Sequence, residues 1–432
     1  MDMTSDIVKF RTDKVWVRPV LAVLILAACI FGWISVRRQL GNMLAETTGP
    51  TEPGASEIAD VASDLAPNDP VAIWLQATII KQDFSPTASQ RSQQLFEQTV
   101  RAAPYDYRWW IELGRSYEQS QEPDRAEAAF KYAVRLAPSY TFPRWQLGNF
   151  YLRQQRIDDA MAQLRLATVN NLVYREQVFA LAWDYFDHDP AKIEALATDG
   201  ADVTSSLALF YAARGQAEDA LRVWDKLTPD EKALYPEIAK AIAQGLFDRR
   251  MFPFSLEFSK QIGIDPDADP ENVTNGGFEK VLRNNDESHF DWKFAKNDGK
   301  LDFAADSLVK HSGSKSLRLS YKNYSKPDLL TASQLVVVQP LKPYSLTLWL
   351  RTEGLRSAGQ PQIEIVNANN DTVIATSKPF PLGTNDWQQI EVDLRVPEGC
   401  NAIIIRTTRG YCGEGCILIG TTWYDDFELK RQ

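Results

Sequence analysis

The sequence predicts a multidomain protein of three successive parts: one membrane-spanning helix, an all-α solenoid of repeated helix pairs, and an all-β sandwich. Three observations predict this order. A single long run without charges lies near the N-terminus, a set of residue types recurs every 34 residues, and after about residue 270 the hydrophobic periodicity changes from helical to alternating. With 432 residues, of which 44% are hydrophobic, the chain can bury more than one core.

The composition argues against two classes of function. The net charge is -10 and no dense patch of Lys and Arg occurs, whereas nucleic-acid binding needs clustered positive charge. The three histidines, His188, His289 and His311, have no His or Cys neighbour at ligand spacing, so we expect surface or satisfied core residues and no zinc or haem site.

Residues 15–38 are predicted to form a transmembrane anchor. The run PVLAVLILAACIFGWISV, residues 19–36, has no charge and approaches the ~20 residues that a helix needs to cross a bilayer. Four basic residues precede this run and two follow it closely, so the positive-inside rule places the N-terminal tail, residues 1–14, in the cytoplasm. The basic residues are Lys9, Arg11, Lys14 and Arg18 before the run, and Arg37 and Arg38 after it.

A second interpretation of this segment stays open, because LAAC at residues 26–29 resembles a bacterial lipobox in which Cys29 would be lipidated. Against it, the apolar run continues beyond the cysteine. Both interpretations place the bulk of the chain on the periplasmic or extracellular side of an inner (plasma) membrane. Residues 39–56, rich in Gly, Pro and Thr, are predicted to be a flexible linker.

The repeat is visible when 34 is added to the residue numbers of apolar, small and aromatic positions in residues 108–138. Leu113, Gly114, Tyr117, Ala126 and Ala133 then map onto Leu147, Gly148, Tyr151, Ala160 and Ala167, which match in type. With Trp110, Phe130 and Pro138, they fit the pattern W-x2-L-G-x2-Y, A-x3-F, A and P, so residues 57–263 resemble a tetratricopeptide (TPR) array.

The array is predicted to contain about five helical pairs with atypical ends. A further unit at residues 206–229 is offset from the preceding one by 60 residues rather than 68, so residues 173–199 are expected to be a shortened, degenerate pair. The TPR resemblance implies a concave groove that binds peptides or partner proteins. It does not identify the partner.

A linker, residues 264–271, is followed by short alternating segments such as YSLTLWLR, which predict a β-sandwich over residues 272–432. NGGFE at 275–279, HSGSKSLRLSY at 311–321 and WYDDFEL at 423–429 resemble the galactose-binding-like jelly rolls, which include many carbohydrate-binding modules. This resemblance implies a structural calcium held by Glu279 and Asp425 with oxygens of the loop at 311–314. Alternatively, the two acids cap strand ends or pair with Lys or Arg.

The resemblance to carbohydrate-binding modules also implies a polysaccharide ligand. In the strand YSLTLWLR, alternation places Thr347, Trp349 and Arg351 on the face opposite the apolar side chains. Sugar recognition commonly uses an aromatic ring, a guanidinium as donor and a carboxylate as acceptor. The alternative is that Trp349 packs under a loop and the sandwich is purely structural. The candidate glycan residues are Thr347, Trp349, Arg351, Glu364 and Arg406.

Catalysis is not expected. Asp425 and Asp426 alternate along a strand and should face opposite sides, whereas a glycosidase needs two converging carboxyls, and no nucleophile elbow, P-loop or metal motif occurs. Cys412 and Cys416 flank a Gly-rich turn, where an exported domain permits a disulfide, and Cys400 is left over. The sequence thus predicts a membrane-anchored adaptor in envelope or exopolysaccharide assembly, or else a structural scaffold without glycan binding.

Overall fold

The computed structural model describes residues 16–83, 85–169, 171–282, 288–295, 299–325, 331–413 and 416–432. The chain forms two compact units, Met1–Thr198 and Asp199–Gln432. The predicted cytoplasmic tail, with three of the basic residues that orient the span, lies outside the described residues. The last helices of the predicted repeat region belong to the same compact unit as the β-sandwich, and the predicted domain boundaries stay predictions.

Helix α1, Val17–Thr47, is longer than the predicted anchor. It is the one helix among the described residues that is long and apolar enough to cross a membrane, a criterion that an N-terminal signal sequence also meets. Its last turns are packed: Gly41 and Ala45 are buried, and a Cβ on Gly41 would lie 2.7 Å from the Cβ of Ala66. Residues 39–47 and 55–56 of the predicted linker at 39–56 are therefore helix, and the small residues let α1 pack closely on the next helix.

The first unit continues with antiparallel helix pairs. Several of these helices start with a Pro in the first turn. Several also have a side-chain cap at the N-terminus, provided by Asp69, Ser85, Asp106 and Asn171. The bounds are α2 Ala55–Leu65, α3 Pro70–Ile80, α4 Pro86–Ala102, α5 Tyr107–Gln119, α6 Pro123–Leu136, α7 Thr141–Arg153, α8 Ile157–Ala167, α9 Leu172–Tyr185 and α10 Pro190–Glu194. Helix α10 has only five residues, so the pair α9–α10 is short, as the repeat offset predicts.

The repeat positions pack in the way that their residue types indicate. A Cβ on Gly114 would lie 2.9 Å from the ring of Phe130, and a Cβ on Gly148 would lie 2.8 Å from the side chain of Leu164. Phe130 and Leu164 occupy equivalent places one repeat apart. The repeated glycine thus provides the space that the second helix of its own pair fills.

The second unit joins further helices to two five-stranded antiparallel sheets. The helices are α11 Ala201–Ala212, α12 Ala217–Trp224, α13 Pro229–Ala233, α14 Pro236–Asp248 and α15 Phe252–Gln261. The strands are β1 Lys293–Phe294, β2 Leu301–Asp306, β3 Ser316–Tyr324, β4 Ala332–Val337, β5 Pro343–Arg356, β6 Pro361–Asn367, β7 Val373–Thr376, β8 Gly383–Arg395, β9 Ala402–Arg409 and β10 Leu418–Arg431.

The two sheets form the predicted sandwich. The β9 sheet has the strand order β1-β4-β9-β6-β7, and the β10 sheet has the order β2-β3-β10-β5-β8. Apolar side chains from both sheets, such as Leu319, Leu348, Ile363 and Ile405, share one buried core. The predicted succession of an N-terminal apolar helix, repeated helical pairs and a two-sheet β-sandwich is confirmed.

The NGGFE segment ties the start of the sandwich to its last strand. A Cβ on Gly276 would lie 2.1 Å from the carbonyl oxygen of Phe427, so only glycine fits there. The Gly276 carbonyl accepts a hydrogen bond from the Phe427 N–H at 3.0 Å, and the fully buried Phe278 packs against Trp292 and Phe427. The segment therefore serves packing in this structure.

Helix α15 covers part of the outer face of the β9 sheet. Phe252 and Leu256 share an apolar cluster with Leu335, Val337 and Ala402, whereas Val336, between two of these, points into the sandwich core. The turn before α15 adds polar contacts, because Arg250 donates to the Ala368 carbonyl at 3.0 Å and to the Asp371 carboxylate at 2.8 Å. A cut at residue 272 would expose this apolar surface.

Candidate functional site

The first candidate site is a groove in the helical unit, lined by the first helices of successive pairs. Trp74 of α3, Trp109 of α5 and Phe142 of α7 provide its apolar wall, and Arg108 and Glu112 of α5 provide charges. We call this set of five residues the aromatic groove. Its cavity measures about 520 Å³, and the end of α1 with residues 48–50 closes one side.

The two tryptophan rings of the groove lie in contact with each other, and the Phe142 ring lies beside Arg115 of α5. The ring centroids of Trp74 and Trp109 lie 6.2 Å apart. Arg115 binds Glu112 at 2.7 Å and places its guanidinium 6.0 Å from the Phe142 ring. The indole Nε1 of Trp109 is buried without a hydrogen-bond partner among the described residues, which is costly for a polar group.

The aromatic series continues beyond the groove. Phe142 and Trp145 of α7 both lie with ring centroids 6.0 Å from that of Tyr174 of α9. Four consecutive helix pairs, from α3–α4 to α9–α10, therefore carry aromatic side chains along their first helices. Such a surface suits an extended peptide with apolar side chains.

The second candidate site is the outer face of the β10 sheet. Thr347, Trp349 and Arg351 are half-buried and alternate with the buried Leu346, Leu348 and Leu350, so the outward set was predicted at the right positions. The ring of Trp349 is not open to a sugar in this conformation. The His311 imidazole stacks on it with centroids 3.8 Å apart and an interplanar angle of 14°, and Trp387 meets the imidazole edge-on at 5.7 Å.

Two acids of β10 hold the loop that carries His311. Asp426 accepts from Ser312 Oγ at 2.7 Å and lies 2.7 Å from His311 Nδ1. Asp425 Oδ2 accepts from the backbone N–H groups of His311 and Ser312 at 2.8 and 3.2 Å. Burial raises the pKa of the Asp425 carboxyl, while these N–H bonds oppose the rise.

The expectation that Asp425 and Asp426 face opposite sides is wrong. The β10–β5 register shifts between Asp425 and Glu428, and Asp426 has a φ of 48°, so alternation breaks at this point. Both carboxylates reach the same loop, and the donors of His311 and Ser312 occupy them.

Glu279 approaches the same loop from the other side. Its carboxylate accepts from the Ser314 N–H at 2.8 Å, from the Ser314 hydroxyl and from the Lys315 N–H at 3.3 Å. The hydrogen bonds from Ser314 hold the pKa of the exposed Glu279 carboxyl below its usual value.

The donor set around Glu279 and Asp425 does not fit calcium in this conformation. The loop presents N–H groups to both carboxylates, whereas calcium takes carboxylate and carbonyl oxygens. Among the described residues, no group of three or more His, Cys, Asp or Glu side chains is placed to hold a metal ion. In this conformation Asp425 fastens the loop to β10, and Glu279 fastens it to the NGGFE segment.

Glu364 and Arg406 do not belong to the face that carries Trp349. They are direct cross-strand neighbours on β6 and β9, in the β9 sheet, and their side chains pair at 2.5 Å. The five predicted glycan residues are therefore divided between two sheets. Alternation along a strand identifies the outward side chains, but it does not tell which sheet the strand joins.

The remaining predicted residues have structural contacts. Arg351 binds Asp386 at 3.3 Å and lies 5.9 Å from the Trp423 ring. Cys412 and Cys416 form a disulfide with their Cα atoms 5.7 Å apart. Cys400 is fully buried, which raises the pKa of its thiol to about 11, so little thiolate is present at neutral pH.

Sequence reasoning missed His311 and the aromatic groove. His311 begins the HSGSKSLRLSY motif, but a stacking contact across a loop leaves no periodic signal in the sequence. The groove had a periodic signal, because Trp74, Trp109 and Phe142 recur at spacings of 35 and 33 residues, close to the repeat period. A search for aromatic residues outside the packing positions would have found them.

The comparisons with known proteins give fold likenesses only. No family model and no curated protein matches the chain. Among solved structures, yeast Tom70 matches at 17% identity over 53% of this chain and 50% of its own, with a TM-score of 0.33. MamA of Desulfovibrio magneticus matches at 14% over 38% of this chain and 90% of its own, with a TM-score of 0.29.

A third solved structure, a CBM4 module, matches at 16% identity over 37% of this chain and 99% of its own, with a TM-score of 0.29. The neighbours thus include helical-repeat proteins and a carbohydrate-binding module. At such low TM-scores and identities these likenesses carry no argument about function. The fold stands on the helices and strands themselves.

Proposed function

We propose that this protein is a membrane-anchored, extracytoplasmic adaptor without catalytic activity. Its aromatic groove binds a segment of a partner protein, and its sandwich provides a glycan site at Trp349. The aromatic groove carries this proposal. It combines an apolar wall of three aromatic side chains with the charges of Arg108 and Glu112, around a cavity of about 520 Å³.

Helix α1 and the charges around it support this location. The apolar part of α1 is exposed in the folded chain, as expected for a segment surrounded by lipid. We place the N-terminus in the cytoplasm and both folded units across the inner membrane, in envelope or exopolysaccharide assembly. Lipidation of Cys29 is the alternative form of anchoring.

Glycan binding at Trp349 requires the His311 loop to move, because His311 stacks on the ring. This contact also favours the second candidate function, a scaffold whose sandwich binds no glycan. Calcium at Glu279 and Asp425 stays a prediction, and it would require carbonyl oxygens of the loop to replace the present N–H contacts.

A photo-crosslinker placed at residue 108 tests the groove in living cells. Arg108 lines the groove with 64% of its side chain exposed, so a substitution there leaves the fold intact. We expect one discrete adduct. Adding Phe142→Ala, which removes a half-buried ring from the groove wall, should reduce the adduct severalfold, as loss of an apolar anchor does.

Two matched controls accompany this experiment. A crosslinker at Arg101, whose side chain is 74% exposed on α4, should give no such adduct, and Leu166→Ala, at a 47% exposed position of α8, should leave it unchanged. If crosslinkers at residues 101 and 108 gave the same amount of adduct, or if Phe142→Ala did not change the amount, no partner would bind in the groove.

A further inference from the structure

A small cleft lies where α1 meets the first helix that packs on it. Ile34, Arg37 and Arg38 of α1 face residues 64–68 at the end of α2, around a cavity of about 280 Å³. We call it the arginine cleft. It is separate from the aromatic groove, with which it shares no lining residue.

The level of the arginine cleft relative to a bilayer follows from the helix. The uncharged run of 18 residues, at ~1.5 Å per residue, spans ~27 Å, close to the ~30 Å of a hydrocarbon core. Arg37 and Arg38 are the first charged residues after it, and α1 continues without a break to Thr47. The cleft therefore lies at the level of the lipid phosphates.

The packing of α1 fixes the second wall of the cleft. The close approach of Gly41 to Ala62 and Ala66 brings the end of α2 beside the arginines. Arg37 Nη2 donates to the Asp64 carbonyl at 2.9 Å, which orients its guanidinium. Arg38 has no hydrogen bond or ion pair with another residue that the structure describes.

The charged and apolar residues of the arginine cleft indicate which class of ligand it can bind. Two arginines and the exposed carboxylate of Asp64 leave one net positive charge, which matches a phosphodiester monoanion. Guanidinium groups bind phosphate oxygens in pairs. Ile34, Leu65 and Pro67 supply an apolar border, which a free phosphate ion cannot use but a lipid can.

We propose that the arginine cleft binds the headgroup phosphate of an anionic phospholipid in the leaflet where α1 emerges. This inference rests on the proposed membrane anchoring. A zwitterionic lipid brings an ammonium as well as the phosphate, so it gains less from the net positive charge. A bound lipid would fix the first helical pairs close to the membrane surface.

Lipid retention by the full-length chain tests this site. The protein in mild detergent is given equal amounts of phosphatidylglycerol and phosphatidylcholine, and retained lipid is counted by native mass spectrometry. We expect one phosphatidylglycerol, retained severalfold over phosphatidylcholine. Arg38→Gln should remove this preference, whereas Arg91→Gln, the same change at an exposed residue of α4, should keep it.

Two further measurements distinguish failure of the lipid site from failure of the membrane anchor. Displacement of phosphatidylglycerol by inorganic phosphate would mean a general anion site and overturn the lipid proposal. Carbonate extraction of membranes checks the anchor. If the Arg38→Gln variant keeps its lipid preference while the chain stays in the membrane, the proposed lipid site is wrong and the membrane anchor is not affected. If the wild-type chain is extracted by carbonate, both the membrane anchor and the lipid site are wrong.

Discussion

Gly114→Trp and Ala126→Trp are each expected to lower the melting temperature of the helical unit by several degrees. A Cβ at position 114 would already lie 2.9 Å from the buried Phe130 ring, and Ala126 is fully buried. Overpacking of this kind costs about 1–3 kcal/mol or more, and in a unit of this size each kcal/mol shifts the melting temperature by about 2–4 °C. Calorimetry of the full chain in detergent measures the change.

The same helix offers a matched control for this prediction. Ala128 lies two residues from Ala126 but is exposed, so Ala128→Trp should leave the transition nearly unchanged. The transition of the second unit should not move in any of the three variants. Equal melting temperatures for Ala126→Trp and Ala128→Trp would contradict the repeat register.

Trp349→Ala is expected to abolish glycan retention, and His311→Ala is expected to increase it. The first change removes the stacking surface. The second uncovers it, because in the structure the His311 imidazole covers the indole with ring centroids 3.8 Å apart. Retention of the chain on immobilised polysaccharides measures both effects. Leu308→Ala, at a 92% exposed position of the same loop, should change nothing.

The melting temperature of the Trp349→Ala variant shows whether lost binding is specific. A half-buried ring should contribute less than the ~3–5 kcal/mol of a large aromatic core residue. The second unit must be kept whole from residue 199, since Leu256 of α15 shares a core with Leu335 and Val337 of the sandwich. If the wild type retains no glycan, or if His311→Ala reduces retention as Trp349→Ala does, the glycan site is wrong and the scaffold remains.

Periodic features of the fold could be predicted from the sequence. The recurrence of Gly114 at Gly148 reflects one packing contact made twice, and the inward Leu348 beside the outward Trp349 reflects the pleat of a strand. The shortened pair α9–α10 was visible as a shift in the repeat offset. Each of these signals depends on neighbours along the chain.

The features that could not be predicted depend on which distant segments meet. Glu364 and Trp349 are both outward, but sheet membership separates them. The stack of His311 on Trp349 depends on a loop path, and the convergence of Asp425 and Asp426 depends on a bulge. The helical part of residues 39–56 depends on Gly41 packing against Ala66, which local composition does not encode.

One measurement tests directly whether α1 anchors the chain with both folded units across the membrane from the N-terminus. A reporter that is active only in the cytoplasm is fused after Gln432, and its signal is compared with that of the same reporter on a chain lacking residues 1–38. We expect a silent fusion on the full chain and an active one on the truncated chain. An active reporter on the full chain would contradict this topology.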